Sequence, residues 1–113
     1  MASLLPSQQP VDPPSPDRTE VVVDGTSSAA MLSTLSSETA RDVLAALRAD
    51  PKPLSGIADA ADTSIQNARY HVERLCDAGF VEPVDVWYSR KGREMTVYAV
   101  TTDRLVIRFE PRR

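Results

Sequence analysis

Apolar residues recur at helical spacing in the middle of the chain. One series has an apolar position at every third or fourth residue: Ala40, Val43, Leu44 and Leu47. This spacing predicts an amphipathic helix over about residues 37–49, which the run Asp50-Pro51-Lys52-Pro53 ends. A shorter helix is predicted before it, over 29–34. Another fits 54–61, where Leu54, Ile57, Ala58 and Ala61 would face inward.

A further helix is predicted over residues 64–78, separated from the preceding one by a tight turn at Asp62. Thr63 is predicted to cap its N-terminus, with Gln66 as the return partner of a capping box. Gly79 follows the last helical residue, where a glycine commonly terminates a helix. Two helices joined by about three residues are typical of a helix-turn-helix.

Two β-prone stretches follow, Val84–Ser89 and Glu94–Val100. The loop Arg90-Lys91-Gly92-Arg93 between them predicts a β-hairpin, because Gly92 can adopt the left-handed conformation that such loops need. Strand alternation predicts that one of the rings of Trp87 and Tyr88 points inward and the other outward, so both are interpreted as packing residues rather than base stackers.

The order of elements predicts a single domain of mainly α structure with a β-hairpin wing, that is, a winged helix-turn-helix over residues 29–109. Residues 1–18 hold five of the nine prolines and predict a disordered tail. Residues 19–28 are a lead-in whose segment Thr19–Val23 is β-prone and able to pair with another strand. Leu105–Phe109 is also β-prone, and 110–113 form a short tail.

The helix predicted over 64–78 has two distinct faces when its residues are placed about 100° apart. One arc is apolar: Ile65, Ala68, Val72, Leu75 and Cys76. The opposite arc carries groups suited to base edges or phosphates: Gln66, Asn67, Tyr70 and Arg74. Arg69 flanks this polar arc. The acids Glu73 and Asp77 come only in the second half of the helix. The plainer alternative is a solvated helix face with no partner.

For DNA binding, the distribution of charge along the chain matters more than the net charge. The formal net charge of the 113 residues is −3, and the first thirty residues account for it with four acids and one arginine. DNA binding therefore requires clustered basic groups, and a domain this close to neutral predicts a shallow dependence of affinity on salt. Asp outnumbers Glu and Arg outnumbers Lys, a balance that fits either a salty cytoplasm or a GC-rich genome.

Several classes of function lack support in the sequence. The N-terminus has neither a basic nor a long apolar segment, and no apolar run is long enough to span a membrane, so a cytoplasmic protein is expected. One cysteine, Cys76, and one histidine, His71, are too few for a structural zinc site. Cys76 is interpreted as a packing residue, with a redox switch as the alternative, and His71 as a groove-flanking or packing residue. No catalytic constellation is present, so neither an enzyme nor a cofactor is expected.

Several segments resemble ArsR-type winged helix-turn-helix regulators: Leu35–Arg41, Thr63–Val72, Ala78–Val81, Trp87–Ser89, Lys91–Met95 and Val97–Ala99. The resemblance covers about residues 29–109 and is closer to a small archaeal branch from salt-adapted organisms. It implies a homodimeric transcriptional regulator that binds an inverted repeat, with DNA contacts at Ser64, Gln66, Asn67 and Tyr70 and in the wing. The Cys-x-Cys motif of metal-sensing members is absent, so metal sensing is not implied.

The functional prediction is a sequence-specific regulator of double-stranded DNA. Its recognition helix, 64–78, would enter the major groove, and its wing, 89–94, would contact the backbone or minor groove. The predicted DNA-binding residues are Thr63, Ser64, Gln66, Asn67, Arg69, Tyr70, Arg74, Arg90, Lys91 and Arg93. The alternative is a winged helix that binds other proteins without reading DNA, because a fold does not fix a function. The apolar surfaces expected to form a dimer are the first helix, the long helix and Leu105–Phe109.

Overall fold

A computed structural model describes residues 18–23 and 27–109. It contains four helices and five strands in these residues: β1 (Arg18–Val23), α1 (Ser27–Leu35), α2 (Glu38–Ala49), β2 (Lys52–Pro53), α3 (Leu54–Ala60), α4 (Ile65–Asp77), β3 (Val81–Tyr88), β4 (Glu94–Val100) and β5 (Arg104–Phe109). The two predicted tails lie outside the described residues, except for Arg18. The predicted domain limits stay predictions, whereas the winged helix-turn-helix fold is confirmed.

The core lies where α2, α3 and α4 meet the first residues of β3. Its buried members are mostly small aliphatic side chains: Ala40, Val43, Leu47, Ile57, Ala58, Ala68, Val72, Leu75, Phe80 and Val81. Those of α2 are the positions that the helical spacing predicted. Ser37 caps α2, because its side chain accepts a hydrogen bond from the backbone N–H of Ala40.

The turn between α3 and α4 is a left-handed helix end without glycine. Asp62 has a φ of 55°. The backbone N–H of Thr63 donates to the carbonyl of Ala58 over 2.9 Å, and that of Asp62 donates to the carbonyl of Asp59 over 3.3 Å. This pair of bonds satisfies carbonyls that would otherwise be unpaired at the helix end. It reverses the chain within a few residues and fixes where α4 begins.

The wing is an antiparallel hairpin of β3 and β4, and β2 adds a short third strand on the other side of β4. Within the hairpin, Trp87 pairs with Met95 and Tyr88 with Glu94. A register shift between Pro83 and Asp85 interrupts the ladder. The shift lies at a proline, which has no N–H to donate to a ladder.

Strands β1 and β5 form a separate parallel pair, in which Val21 lies opposite Ile107 and Val23 opposite Phe109. The predicted strand Thr19–Val23 thus pairs with the predicted strand Leu105–Phe109. Val21 is buried, whereas Ile107 and Phe109 remain largely exposed. This two-stranded ribbon joins the two ends of the described chain beside the helical core.

Candidate nucleic-acid interface

The N-terminus of α4 is fixed by Ser64 and not, as the sequence predicted, by Thr63. Ser64 has extended backbone angles, and its Oγ accepts a hydrogen bond of 3.0 Å from the backbone N–H of Asn67. Thr63 has a different role, because its Oγ1 accepts a 2.8 Å hydrogen bond from the side-chain amide of Asn67. The predicted capping box was therefore wrong by one residue. The actual cap holds Asn67 at both its backbone and its side chain.

α4 ends at Asp77 with Ala78 as its C-cap, and Gly79 follows at the terminating position that the sequence predicted. Gly79 has a φ of +87°, and the backbone N–H of Phe80 donates to the carbonyl of Leu75 over 2.9 Å. The hydroxyl of Thr101, at the end of β4, donates to the carbonyl of Gly79 over 2.7 Å. The wing is thus hydrogen-bonded to the end of the helix that precedes it, so the two elements are held in a defined relative position.

The buried face of α4 consists of Ala68, Val72 and Leu75, which matches the predicted apolar arc at these three positions. Cys76 packs partly buried against the same core. Ile65 departs from the prediction, because 52% of its surface is exposed. It belongs to the first turn of α4, where it lines a cleft that runs towards the wing. A helical projection shows which residues share a face. It does not show that the core covers this face of α4 only from the turn after Ile65 onward.

The structure brings half of the predicted DNA-binding residues into one surface concavity. Its lining consists entirely of polar or aromatic residues from the turn and the first half of α4: Thr63, Ser64, Gln66, Asn67 and Tyr70. Gln66 and Tyr70 are exposed, so an amide and a phenol reach solvent side by side. Hydrogen-bonding groups of this kind can pair with base edges. No acidic residue lines this concavity, which we name the polar concavity.

The predicted residues Arg69 and Arg93 meet in a second depression, a cleft between α4 and the wing. Ser55, Ile65, Thr96 and the acidic residue Glu94 also line it. Ser55 and Thr96 were missed by the sequence analysis, which had no signal for them because they come from α3 and β4, far apart in sequence. The cleft brings one guanidinium from the helix and one from the wing to the same surface.

Arg74 does not line either of these depressions. Its guanidinium lies 5.7 Å from the centre of the Tyr70 ring, within the range of a cation–π contact. It also lines a separate depression beside α1, together with Ala30, Ser33 and Thr34. Arg74 is thus placed to orient the Tyr70 ring, and it joins the polar concavity only through that ring.

The tip of the wing presents the remaining basic residues, Arg90, Lys91 and Arg93, all of which are exposed. The loop is closed by Ser89, whose Oγ accepts from the N–H of Arg93 over 3.1 Å. Gly92 has a φ of +79°, which is the left-handed conformation that the hairpin loop was predicted to need. The loop therefore holds three cations at one end of the domain and is closed by hydrogen bonds to Ser89, the residue before it.

The strand leading into this tip differs from the prediction. Trp87 is 45% exposed and Tyr88 is 65% exposed, so neither ring is inward. Every residue of β3 after Val81 is exposed. Alternation fails here because the hairpin extends past the core: a strand buries one face only where another layer covers it. Both exposed rings are therefore available to contact a binding partner, whereas the sequence predicted that they are packing residues.

Three titratable groups on or beside α4 are perturbed. Burial, and secondarily the charge of Arg74, lowers the pKa of His71, whose buried Nδ1 has no hydrogen-bond partner among the described residues. Burial raises the pKa of the Cys76 thiol, and Asp77 and Glu73 raise it further. Burial also raises the pKa of Tyr98. A thiol with a raised pKa is a poor nucleophile, which favours the packing interpretation of Cys76 over the redox switch.

Within residues 18–23 and 27–109, no three Cys, His, Asp or Glu side chains lie together in a way that would hold a metal ion. In the same ranges, the helices are too short or too polar to cross a membrane.

Comparison with known proteins agrees with this geometry. Residues 35–84 match a family model described as a helix-turn-helix domain. A search of curated protein sequences finds no match. The structure is similar to a homodimeric winged helix-turn-helix DNA-binding domain from Mycobacterium bovis, a possible ArsR-family transcriptional regulator, with a TM-score of 0.57 and 17% identity over 68% of this chain and 66% of that one.

Two further solved structures have similar folds. NolR from Sinorhizobium fredii has a TM-score of 0.54 and 16% identity, with 68% of this chain and 71% of that one covered. An ArsR family transcriptional regulator has a TM-score of 0.51 and 24% identity, with 66% and 75% covered. This chain spans slightly less than two thirds of the Mycobacterium bovis chain. At these identities the likeness establishes the fold: a helix-turn-helix domain, followed by a wing.

Proposed function

We propose that this protein is a sequence-specific regulator of transcription that binds double-stranded DNA. In this proposal α4 enters the major groove by its N-terminal half, and the wing contacts the phosphate backbone or the minor groove. The observation that carries the proposal is the polar concavity, which gathers Thr63, Ser64, Gln66, Asn67 and Tyr70 on the exposed side of α4. A major groove admits an α-helix and is read by amide and hydroxyl groups of this kind.

The distribution of charge along α4 supports the same orientation. Its first two turns contain no acid, whereas Glu73 and Asp77 come in its second half. A helix that enters the groove by its N-terminus keeps these carboxylates away from the phosphates. The N-terminal end also carries the positive end of the helix dipole, which favours contact with an anionic backbone.

The wing supplies the local positive charge that the acidic chain lacks as a whole. Arg90, Lys91 and Arg93 stand at its tip, and Arg93 also shares the cleft with Arg69. In this proposal the cleft receives one strand of the DNA backbone, with a guanidinium contributed from each side. Contacts to phosphate of this kind position a protein on DNA and carry no sequence information themselves.

We further propose that the protein belongs to the ArsR-type regulators and acts as a homodimer on an inverted repeat. Two of the similar structures are described as ArsR-family or possible ArsR-family regulators, and one is described as homodimeric. A two-fold dimer would set its two recognition helices about one helical turn of DNA apart. We also propose the salt-adapted archaeal branch, on the resemblance of the sequence, and the excess of Asp over Glu and of Arg over Lys is compatible with it. An enzymatic activity is not proposed.

One observation favours a second candidate function, a winged helix that binds another protein. β3 is an edge strand that exposes large apolar side chains over most of its length: Val84, Val86, Trp87 and Tyr88. Exposed apolar edges of this kind are frequent at protein interfaces. In this case the polar concavity would be a solvated helix face, and its substitution would leave partner binding unchanged.

A mobility-shift assay separates the two candidates. A binding sequence is first selected from a random pool of duplex DNA, and the variants Gln66→Ala, Asn67→Ala and Arg90→Ala are compared with the native chain. The control is Arg41→Ala, which removes an exposed arginine of α2 whose guanidinium bonds to the carbonyl of Leu35. The proposal expects each interface variant to bind more weakly and the control to bind as the native chain does. Failure to select any sequence would contradict it and favour the protein-binding module.

The proposed role of the wing has its own test. When Arg90, Lys91 and Arg93 are all replaced by Ala, the slope of log affinity against log salt should become shallower by about 0.9 for each lost phosphate contact. The free energy of unfolding should stay the same, because all three side chains are exposed. An unchanged slope would show that the wing tip does not contact phosphates.

A further inference from the structure

The ribbon formed by β1 and β5 leaves large apolar side chains in solvent at its far end. Phe109 is 76% exposed and Ile107 is 45% exposed, although Val21, which pairs with Ile107 on the same face, is only 3% exposed. On this face, the protein therefore covers β1 at Val21 but leaves β5 open at Ile107. Within the described residues the ribbon has only two strands, so one edge of β5 carries no strand partner. Ribbons of two strands are marginally stable in water.

The sequence of β5 suits it to pair with a second copy of itself. Leu105, Ile107 and Phe109 alternate with Arg104, Val106 and Arg108. Two-fold symmetry requires that two such edges pair antiparallel. If Ile107 lies opposite the partner's Ile107, then Leu105 lies opposite the partner's Phe109, and all three apolar pairs share one face. The same register sets Val106 opposite the partner's Arg108, so no two arginines are directly opposed.

A shift of that register by two residues is less favourable both for the charged residues and for the apolar pairs. With Val106 opposite the partner's Val106, Arg104 would lie opposite the partner's Arg108, which places like charges in direct opposition and is destabilising. Phe109 would then lie beyond the paired apolar positions. The alternation of residues thus favours the register centred on Ile107 over the register centred on Val106.

A largely apolar cavity adjoins Leu105, the residue that this register sets opposite the partner's Phe109. The cavity has a volume of about 150 Å³ and is lined chiefly by Leu35, Leu44, Phe80, Val100 and Leu105, with charged residues beside them. Leu105 belongs both to the cavity wall and to the residue pair that contains the partner's Phe109. In another protein, an apolar cavity of about this volume holds a benzene ring. Size and lining both fit a phenylalanine ring.

We infer that two copies of this chain associate through the edges of β5 that face away from β1, with each Phe109 seated in the apolar cavity of the other copy. The two ribbons become one sheet of four strands, and the apolar face that the helical core leaves open is covered by its symmetry mate. The interface is that of the homodimer in the proposed function. Only the role of this dimer on DNA rests on that proposed function. The occupant of the cavity is a side chain of this same protein.

Disulfide trapping tests the register. In a Cys76→Ala background, Ile107→Cys would place two thiols on opposed residues, whose Cα atoms lie about 4.5–5.5 Å apart in an antiparallel pair, within disulfide range. The matched control Val106→Cys would leave its two Cα atoms about 8 Å apart, which is too far. We expect rapid formation of a covalent dimer by the first variant under mild oxidation and little by the second. Equal trapping of both variants, or trapping of neither, would overturn the assignment.

Phe109→Ser tests the occupant of the cavity on the otherwise native chain. Its dimer dissociation constant, measured by light scattering or sedimentation, should rise at least roughly 30-fold, as for a buried aromatic anchor of an interface. The control Val86→Ser removes an exposed apolar residue of the wing and should leave the dimer intact. An unchanged dissociation constant for Phe109→Ser, or a native chain that is monomeric at micromolar concentration, would overturn the proposal.

DNA-binding measurements distinguish a failure of the β5 interface from a failure of the proposed regulatory function. A native monomer that still binds a selected sequence would overturn the β5 interface and leave the regulatory function standing. A native dimer that is trapped at Ile107 yet selects no DNA sequence would support the interface and contradict the function. If both hold, Phe109→Ser should lower affinity for a two-half-site DNA much more than for a single half-site, since its α4 is unaltered.

Discussion

The turn with α4 and the wing supply seven and three of the ten proposed DNA contacts, and the two regions are built in opposite ways. α4 buries one full face in the core and is hydrogen-bonded at both ends, by Ser64 and by the turn at Gly79. β3 is exposed at every position after Val81, and its rings at Trp87 and Tyr88 have no layer over them. The helix is held along its length by tertiary packing, whereas the wing is anchored at Val81, Val97 and Thr101 and is held beyond them by its own ladder and loop.

Because of this difference, we expect substitutions in one region to change the stability of the fold and those in the other to change DNA binding. Groups on α4 are placed before DNA arrives, so the entropy of ordering them is lost on folding and not on binding. The basic side chains at the wing tip are exposed, so we expect them to be ordered only on binding and to adapt to a DNA backbone whose shape varies. Substitutions beneath α4 should therefore affect the whole fold, whereas substitutions in the wing should affect DNA binding alone. The predictions that follow test this division, from the largest expected effect to the smallest.

Leu75→Ala should cause the largest loss of stability. Leu75 is fully buried on the inner face of α4, and truncation of such a residue costs about 2–5 kcal/mol through lost burial and the cavity left behind. Val86→Ala, on the exposed wing, should change the free energy of unfolding by less than about 0.5 kcal/mol. Denaturant titration measures both. A comparable loss in the two variants would mean that the wing is part of the cooperative core.

Alanine in place of each left-handed glycine gives a second, matched comparison. Gly79 (φ +87°) and Gly92 (φ +79°) both have open space around the position of an added Cβ. Each substitution costs roughly 1–2 kcal/mol of backbone strain. For Gly79→Ala this should appear as global destabilisation, because the turn is bonded to the core. For Gly92→Ala the wing loop should distort locally, so DNA affinity should fall while the thermal midpoint changes little. The reverse pattern would refute the division.

Ser64→Ala should lower the free energy of unfolding by about 1 kcal/mol through loss of the helix cap. Thr63→Val should cost less, because it removes only the acceptor for the side chain of Asn67. The two variants thus test which residue caps α4. If Thr63→Val were the more damaging, the cap predicted from the sequence would be the correct one.

His71→Gln should flatten the dependence of stability on pH by a small amount. The pKa of His71 is lowered in the folded state, chiefly by burial, so the unfolded chain takes up a proton at a higher pH than the folded chain does. The native protein should lose this contribution as pH falls through the ordinary histidine pKa of about 6.5. Urea titrations from pH 7.5 to 5 should therefore show a steeper decline for the native chain. Parallel declines would contradict the lowered pKa.

The helical part of the fold was predictable because its signals are local. The spacing of Ala40, Val43 and Leu47 identifies the buried face of α2, and Gly79 marks the end of α4 in both the sequence and the structure. The pairing of β1 with β5 was foreseen only as a capacity of Thr19–Val23 to join another strand. Its partner lies more than eighty residues away, and the partner's identity depends on the tertiary fold.

The errors at the candidate site have a common physical origin. Helical periodicity assigned Ile65 an inward position, and strand alternation assigned one to either Trp87 or Tyr88, yet all three lie where the core has already ended. Periodicity describes which residues share a face and not how far the neighbouring layer extends. The cleft that joins Arg69 to Arg93 likewise depends on how the wing is placed relative to α4, which the bond from Thr101 to Gly79 helps to fix.

The most direct test of the central claim compares Gln66→Ala with the native chain on two duplexes, one carrying the selected sequence and one a scrambled sequence, at a fixed salt concentration. A side chain that reads a base should cost about 1–3 kcal/mol on the selected sequence and almost nothing on the scrambled one. Discrimination between the duplexes would therefore fall while nonspecific affinity stays constant. Equal losses on both duplexes, or no loss on either, would contradict the claim that α4 reads DNA through its polar concavity.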